Sequence, residues 1–309
     1  MSMRAIAYTE FGSADVLTLT DLPDPHIGPD AMLVEVRAAG LNPVDYKVRQ
    51  GHLEGLIDTQ FPAIPGWDLA GVVVRPGIDT PEFRVGDEVF AYARKDLVQG
   101  GTLAELVAVP VRTVALKPRS LSFEQSAAVP LAGLTAFQSL RRVHVDAGDR
   151  VLIHGAAGGV GSFGVQLAVG RGALVVGTAS EHNHDYLRGL GATPISYGEG
   201  LVEHAMEASP EGYDVIVDFA GGTSLDGTAT LLRPGGRVLS IADPRARSEF
   251  GGEHLWVRPD AADLAQLASL IDSGGLAVEL AHVFDFARTA DAYRALESGH
   301  TRGKVVVRL

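Results

Sequence analysis

The rhythm of apolar and polar positions changes near residue 120. Before it, "AMLVEVRAAG" (31–40), "AGVVV" (70–74) and "GDEVFAY" (86–92) are β-branched or alternating segments closed off by turn residues. That pattern predicts short strands. No long helical period occurs in this third, so a small, mostly β unit is expected. The stretch "LSFEQSAAVPLAGLTAFQSL" (121–140) then turns helical. Ser122 followed by Gln125 reads as a capping box; Pro130 interrupts, and a second helical pattern follows.

From Arg150 strand and helix alternate. "RVLIHG" reads as a buried strand, "GVGSFGVQLAVG" as a helix and "ALVVGTAS" as a strand. "HDYLRGLG" predicts a short helix, with Asn183 at its N-cap and Gly191 at its stop. "TPISY", "YDVIVDFAGG" and "GRVLSIAD" supply further strands. Such alternation predicts an α/β, doubly wound parallel sheet with helices on both faces. "AADLAQLASLIDSG" (261–274) is an amphipathic helix with Leu264, Leu267, Ala268 and Ile271 on one face. The closing "GKVVVRL" is a strand that can return to the first β unit.

One loop carries candidate chemistry. In "HGAAGGVGSFGVQLA" (154–168) glycines stand between a strand and a run in which Val160, Phe163, Gly164 and Leu167 recur at helical spacing. Strand, glycine loop and helix in that order form a dinucleotide-binding fingerprint. Gly158 is expected where the backbone approaches a pyrophosphate, and Gly161 where helix and strand pack closely. Ala156 takes the tight-turn position, which one methyl tolerates at negative φ. A helix N-terminus offers free N–H groups and a positive dipole end to phosphates. The competing reading is a glycine-rich turn without a ligand.

About twenty residues on, an NAD site places a carboxylate against the ribose hydroxyls. Here "TASEHN" puts Ser180 at that tip, followed by Glu181, His182 and Asn183. A carboxylate aimed at a 2′-phosphate repels it, whereas a hydroxyl with a nearby cation or amide receives it. NADPH is therefore favoured over NADH, with Glu181 as an NAD carboxylate the alternative.

Composition narrows the classes. The 309 residues suit two domains, and 46% hydrophobic with 21% charged residues is ordinary for a globular chain. The net charge of −12 opposes nucleic acid and anionic membranes. There is no cysteine, which rules out disulfides, thiolate metal sites and a catalytic Cys. The ten histidines are scattered, with His182 and His184 forming only an H-x-H pair. The opening "MSMRAIAYTEFG" lacks an apolar signal core, and no apolar run is long enough to span a membrane, so a cytoplasmic protein is expected.

Together "GLNPVDYKVRQG", "PGWDLAG", "HGAAGGVG", "GTASEHNHDYLRGLGA" and "GHTRGKVVVRL" resemble the zinc-independent quinone oxidoreductases and enone reductases of the medium-chain dehydrogenase/reductase superfamily. The likeness runs in order along essentially the whole chain. It implies a GroES-like β domain built from both chain ends (1–122 and 258–309) around a Rossmann domain (123–257), with a cleft between them. It also implies NADPH, a homodimer and a small quinone or enone substrate. Zinc relatives bind catalytic metal through a Cys and a His; here "GWD" sets Trp67 at that His position, so no metal site is expected.

The same resemblance assigns residues. Asn42, Tyr46 and Lys47 fall in the segment lining the substrate side of the nicotinamide. Thr135, Ile241 and Ala242 match positions near the nicotinamide. Gly158, Gly159, Val160 and Gly161 match the pyrophosphate loop. Ser180 matches a 2′-phosphate contact, with His182 standing where the family often has Arg or Lys. Tyr197 matches a tyrosine near the adenosine phosphate, and Lys304 a basic residue that reaches the pyrophosphate.

Both lines of reasoning lead to hydride transfer, in which the nicotinamide carries the chemistry and the protein orients it. Charge develops on the acceptor oxygen; donors at such positions are worth about 2.7–4 kcal/mol. Lys47 is the first candidate donor, with Tyr46 and the Asn42 amide behind it. Asn42 before Pro43 can equally serve only to shape its loop, and Lys47 can be a solvated surface lysine. Asp45 is expected to fix the loop or pair with a neighbour. Trp67, Trp256 and Phe284 are candidates for a flat apolar substrate pocket, against the plainer reading of core aromatics. Two other functions stay open: an NADPH-binding sensor or structural protein with little catalysis, and an enoyl-thioester reductase.

Overall fold

The computed structural model describes residues 2–299 and 301–309. Met1, and His300 within the "GHTRGK" motif, lie outside the described residues. Nine strands come first: β1 (Ser2–Ala7), β2 (Thr18–Pro23), β3 (Ala31–Gly40), β4 (Thr59–Ile64), β5 (Asp68–Arg75), β6 (Glu88–Tyr92), β7 (Val98–Gly100), β8 (Leu106–Pro110) and β9 (Val114–Leu116). A seven-residue helix, α1 (Pro43–Arg49), follows β3. Then come α2 (Phe123–Ala127) and α3 (Pro130–Arg142). Ser122 and Gln125 form the expected capping box. Pro130 opens α3, where its missing N–H and fixed φ do no harm.

An alternating run succeeds them: β10 (Arg150–His154), α4 (Gly159–Gly170), β11 (Leu174–Thr178), α5 (His184–Gly189), β12 (Thr193–Ile195), α6 (Leu201–Ala208), β13 (Tyr213–Asp218), α7 (Thr228–Leu231), β14 (Leu232–Ser240), α8 (Arg245–Ser248) and β15 (Glu253–His254). The chain ends with α9 (Ala261–Asp272), β16 (Leu280–Asp285), α10 (Thr289–Glu297) and β17 (Lys304–Arg308).

The chain divides into two compact units. One comprises Met1–Leu134, Pro259–Gly274 and Val278–Leu309; the other Thr135–Arg258 and Gly275–Ala277. The first unit is built on a seven-stranded sheet in the order β16-β17-β3-β5-β6-β9, with β8 also pairing β3. β17 lies antiparallel to β3, Val306 facing Gly40, so both ends of the chain contribute to one sheet. Alternate residues Met32, Val34 and Val36 of β3, with Leu69, Val73, Val89, Val305 and Val307, supply its core.

The second unit is a six-stranded sheet in the order β12-β11-β10-β13-β14-β15, parallel throughout. Its strands are near-continuous apolar runs because helices cover both faces of such a sheet. Leu152, Val176, Ile216 and Val238 are buried in one of its cores. The order reverses direction between β10 and β13, a switch point of the kind that binds ligands at the strands' carboxyl ends.

Two local readings change. Asn183 stands before α5, but its side chain makes no cap hydrogen bond. β14 starts at Leu232, earlier than the "GRVLSIAD" pattern suggests, because Leu232 already pairs Tyr213 before a register shift carries the ladder on to Arg237.

Within the first unit, Asp260 caps α9 by accepting from Ala262 N (2.9 Å) and Asp263 N (3.0 Å). The helix buries Leu264, Leu267 and Ile271, with Ala268 at the margin. Leu264→Ala leaves a cavity at a fully buried position. It is expected to cost about 2–5 kcal/mol, read as a lower denaturant midpoint with unchanged slope.

Candidate functional site

In the second unit the glycine loop joins β10 to α4. Gly155, at φ +68°, makes the sharp turn that leaves the strand. The turn glycine thus stands one residue before Ala156, which is fully buried with its methyl against Gly177. Gly155 N donates to Thr178 Oγ1 (3.1 Å) and Ala156 N to the Thr178 carbonyl (3.0 Å), which ties the loop to the end of β11. A Cβ on Gly161 would lie 2.1 Å from the Gly155 carbonyl oxygen, so only glycine lets α4 approach the turn. At Gly158 the corresponding contact is 3.3 Å, and the strict steric demand falls on Gly161.

Gly158 is the N-cap of α4 and no side chain caps the helix. The first bond of the helix is Ser162 N to the Gly158 carbonyl, 3.0 Å. The amides of Gly159, Val160 and Gly161 precede that bond, and the residues at the tip are partly exposed. Such an end has donors and dipole ready for an anion.

At the tip of β11 the structure brings three candidate residues together. Asn183 Nδ2 donates to Ser180 Oγ (3.2 Å) and lies 3.2 Å from His182 Nε2, which is 3.4 Å from Ser180 Oγ. Asn183 Oδ1 is buried with no hydrogen-bond partner among the described residues. Glu181 is exposed beside them. Tyr197, after β12, is 63% exposed and available to a ligand. Thr135 is buried in α3, Ile241 is half-buried, and Ala242 is exposed beyond the end of β14.

Sequence reasoning missed Asp218 and His154, which end β13 and β10 side by side. Burial pulls the His154 imidazole down to about 4, partly opposed by the Asp218 charge, so the ring is neutral near pH 7. The signal was present in the sequence: each is a polar residue closing an apolar run.

In the first unit the "NPVDYK" segment forms the turn into α1. Asn42 is buried and both ends of its amide are engaged: Nδ2 donates to Asp68 Oδ2 (2.9 Å), and Oδ1 accepts from Lys304 Nζ. Lys304 Nζ also donates to the Leu41 carbonyl (2.8 Å). Asp68 Oδ1 accepts from Leu131 N (2.9 Å), and Asp45 Oδ2 from Asn42 N (2.8 Å). Asp45 therefore fixes the turn, as one of its two expected roles requires.

Two candidates are held within this network. The Lys304 ammonium, expected at a pyrophosphate, is buried against the Leu41 carbonyl and the Asn42 amide. Asn42, expected either as a donor or to shape its loop, bonds at both ends of its amide inside the unit. Lys47 is exposed on α1, and Tyr46 is half-buried against the core of the unit.

The aromatic candidates have separate surroundings. Trp67 is buried 6.2 Å from the Tyr92 ring, and Phe284 packs edge-on to His282 (6.0 Å) with Arg288 over its face (5.6 Å). Trp67 and Phe284 therefore have different ring neighbours. Trp256, in the second unit, is 43% exposed.

Comparison with known proteins agrees with this geometry. Residues 28–119 match the alcohol dehydrogenase GroES-like domain family, and residues 190–307 the zinc-binding dehydrogenase family. A chloroplastic NADPH-dependent alkenal/one oxidoreductase of Arabidopsis thaliana is 37% identical over 99% of this chain and 79% of its own. A 2-methylene-furan-3-one reductase of Solanum lycopersicum is 35% identical over the same shares. The solved structure of the quinone oxidoreductase from Coxiella burnetii superposes with a TM-score of 0.89, at 33% identity, covering both chains fully.

Two outcomes follow from the site. Gly161→Ala forces α4 from the Gly155 turn, and dinucleotide affinity should fall by more than about tenfold in direct titration. The second concerns pH. Burial pushes the Asp45 carboxyl up to about 8 and the Asp68 carboxyl up to about 7, while it draws the Lys304 ammonium down. In the unfolded chain an Asp titrates at about 3.9. The folded state thus keeps carboxyl protons that the unfolded state releases. Their stabilisation is complete below that value and is lost as pH rises through about 7 to 8. Thermal midpoints between about pH 5 and pH 8.5 should fall less steeply in Asp45→Asn than in the parent chain. Equal slopes would show that Asp45 holds no such proton.

Proposed function

Because the chain belongs to the medium-chain dehydrogenase/reductase superfamily, among its quinone and enone oxidoreductases, we propose an NADPH-dependent reduction of small quinones or α,β-unsaturated carbonyls. The observation that carries the cofactor reading is the uncapped α4 N-terminus beside the Ser180–His182–Asn183 group. Hydroxyl, imidazole and amide are donors suited to a 2′-phosphate.

Gly158, Gly159, Val160 and Gly161 hold the pyrophosphate in this reading. Ser180, His182 and Asn183 take the 2′-phosphate, with Tyr197 near it. Thr135, Ile241 and Ala242 border the nicotinamide. NADPH, when bound, supplies a hydride. The exposed Lys47 ammonium stabilises the negative charge that develops on the acceptor oxygen, with Tyr46 as a weaker partner. Trp256 remains a candidate substrate contact. Trp67 and Phe284 serve the packing of the first unit.

Zinc plays no part in this proposal. Its support is the chemistry of the chain: no cysteine, and a buried Trp67 in the "GWD" segment. A homodimer and a cytoplasmic setting are proposed on the family resemblance and composition alone. No helix among the described residues is long and apolar enough to cross a membrane.

The test is NADPH consumption with a panel of quinones and enones, NADH serving for comparison. Turnover should favour NADPH and survive dialysis against a metal chelator. Lys47→Ala should lower turnover about a hundredfold with NADPH affinity retained. No turnover with any acceptor, despite tight NADPH binding, would leave a binding protein rather than a reductase. Preference for NADH would reassign Ser180 and Glu181.

A further inference from the structure

The ends of β13 and β14 carry a buried arrangement to which the hydride transfer just proposed assigns no role. Asp218 is fully buried and meets four donors. Its Oδ1 accepts from Ala220 N (2.9 Å), Gly221 N (2.9 Å) and Ser224 Oγ (2.7 Å), and its Oδ2 from Ser240 Oγ (2.6 Å). Ser240, also fully buried and paired with Asp218 in the sheet, accepts in turn from Ala242 N (3.0 Å) and Asp243 N (2.8 Å). One carboxylate therefore organises the turn after β13 directly and the turn after β14 through a hydroxyl.

The two turns also meet elsewhere. Ile241 N donates to the Asp218 carbonyl (3.1 Å). A Cβ on Gly221 would lie 2.9 Å from the Ala242 Cβ, so glycine, already at φ +77°, is what lets the turns touch. On the outside, Arg245 Nε donates to Asp243 Oδ2 (2.8 Å), Nη1 to Asp226 Oδ1 (2.8 Å) and Nη2 to the Gly222 carbonyl (3.1 Å). The inner hub and the outer guanidinium close one ring around both turns.

We propose that Asp218 and Ser240, with Arg245 as the outer latch, are positioning residues for the nicotinamide half of the dinucleotide. They hold the Ile241–Ala242 turn at one height above the sheet. The inference rests on the reading that this turn borders the nicotinamide. The physical reason is the rigidity of a saturated buried hub. Without the Ser240 hydroxyl, a buried carboxylate oxygen loses its donor and two turn amides lose their acceptor. The glycine loop and the tip of β11 donate and accept none of these bonds; the glycine loop meets the β13 turn through Gly155 packed against Ala220 and the Phe219 N bond to the His154 carbonyl (3.2 Å), so the two ligand halves are separated by experiment.

Ligand fragments separate the two halves. 2′,5′-ADP carries the adenosine, the 2′-phosphate and one 5′-phosphate, and lacks the nicotinamide. Ser240→Ala should weaken NADPH about tenfold in calorimetric titration and leave 2′,5′-ADP within about twofold. It should also speed hydrogen exchange at the amides of Ala242 and Asp243 in the ligand-free protein. Arg245→Ala, at a partly exposed site, tests the latch without a core change and should move in the same direction by a smaller factor, with Arg245→Lys recovering part of the loss. Equal weakening of both ligands in both alanine variants would reduce the hub to general folding and overturn the proposal. So would NADPH binding untouched by either. Parent protein that binds 2′,5′-ADP as tightly as NADPH would instead remove the nicotinamide reading beneath it.

Discussion

The ammonium of Lys304, sealed inside the β unit, is the contact on which the arrangement of that unit's polar residues depends. It arrives on the last strand, which closes the main sheet against β3. There it meets the Leu41 carbonyl and the Asn42 amide, and Asn42 passes its other end to Asp68. Three segments far apart in sequence meet in this way. A buried ammonium without such partners would cost several kcal/mol, the order typical of unpaired ions. The strand, the turn and the carboxylate therefore stabilise one another or none of them stays. α1, which presents Tyr46 and Lys47, takes its start from that turn.

How much of this was legible depends on the range of the interactions. α4 matched its sequence pattern from Gly159 to Gly170 because its start is set by neighbouring glycines and its packing by local periodicity. The parallel strands were legible because burial on both faces leaves uninterrupted apolar runs. The β unit was less so. Its strands at 98–100 and 114–116 are too short for an alternation to register, as is the strand at 253–254 in the second unit. Lys304 shows why site residues are harder still. Its partners lie 262 and 263 positions away, and nothing in "RGKVVVRL" tells whether its charge faces a ligand or a buried turn. Asn42 stands between two roles for the same reason: its neighbours in sequence reveal neither of the partners that its amide meets.

The glycine loop shows a subtler shift. The absent first glycine of the fingerprint looked like a departure from the pattern. The backbone puts the left-handed turn on Gly155, where a glycine is present, and uses Ala156 as packing against Gly177. The fingerprint position that tolerates no substitution is Gly161, whose α-carbon faces a carbonyl oxygen. A motif read by its letters marks the place of the turn, and steric contacts decide which letter matters.

The two units use one device with different electrical settings. Each has a buried aspartate that draws a loop into shape by accepting donors from it. Asp68 has three polar groups around it, one of them the Lys304 cation acting across Asn42, and burial still pushes its carboxyl up to about 7. Asp218 has no cation among its hydrogen-bond donors; two amides and two hydroxyls surround it. Amide and hydroxyl dipoles satisfy the carboxylate oxygens without introducing a second charge that must itself be desolvated. A loop shaped by such a hub moves only if several hydrogen bonds break together. That favours the end of the sheet, where a nicotinamide ring held for hydride transfer requires a turn that stays at fixed height. The cation-balanced hub instead ties its loop to a strand from the other end of the chain, so the "NPVDYK" turn is ordered only when the whole β unit has formed.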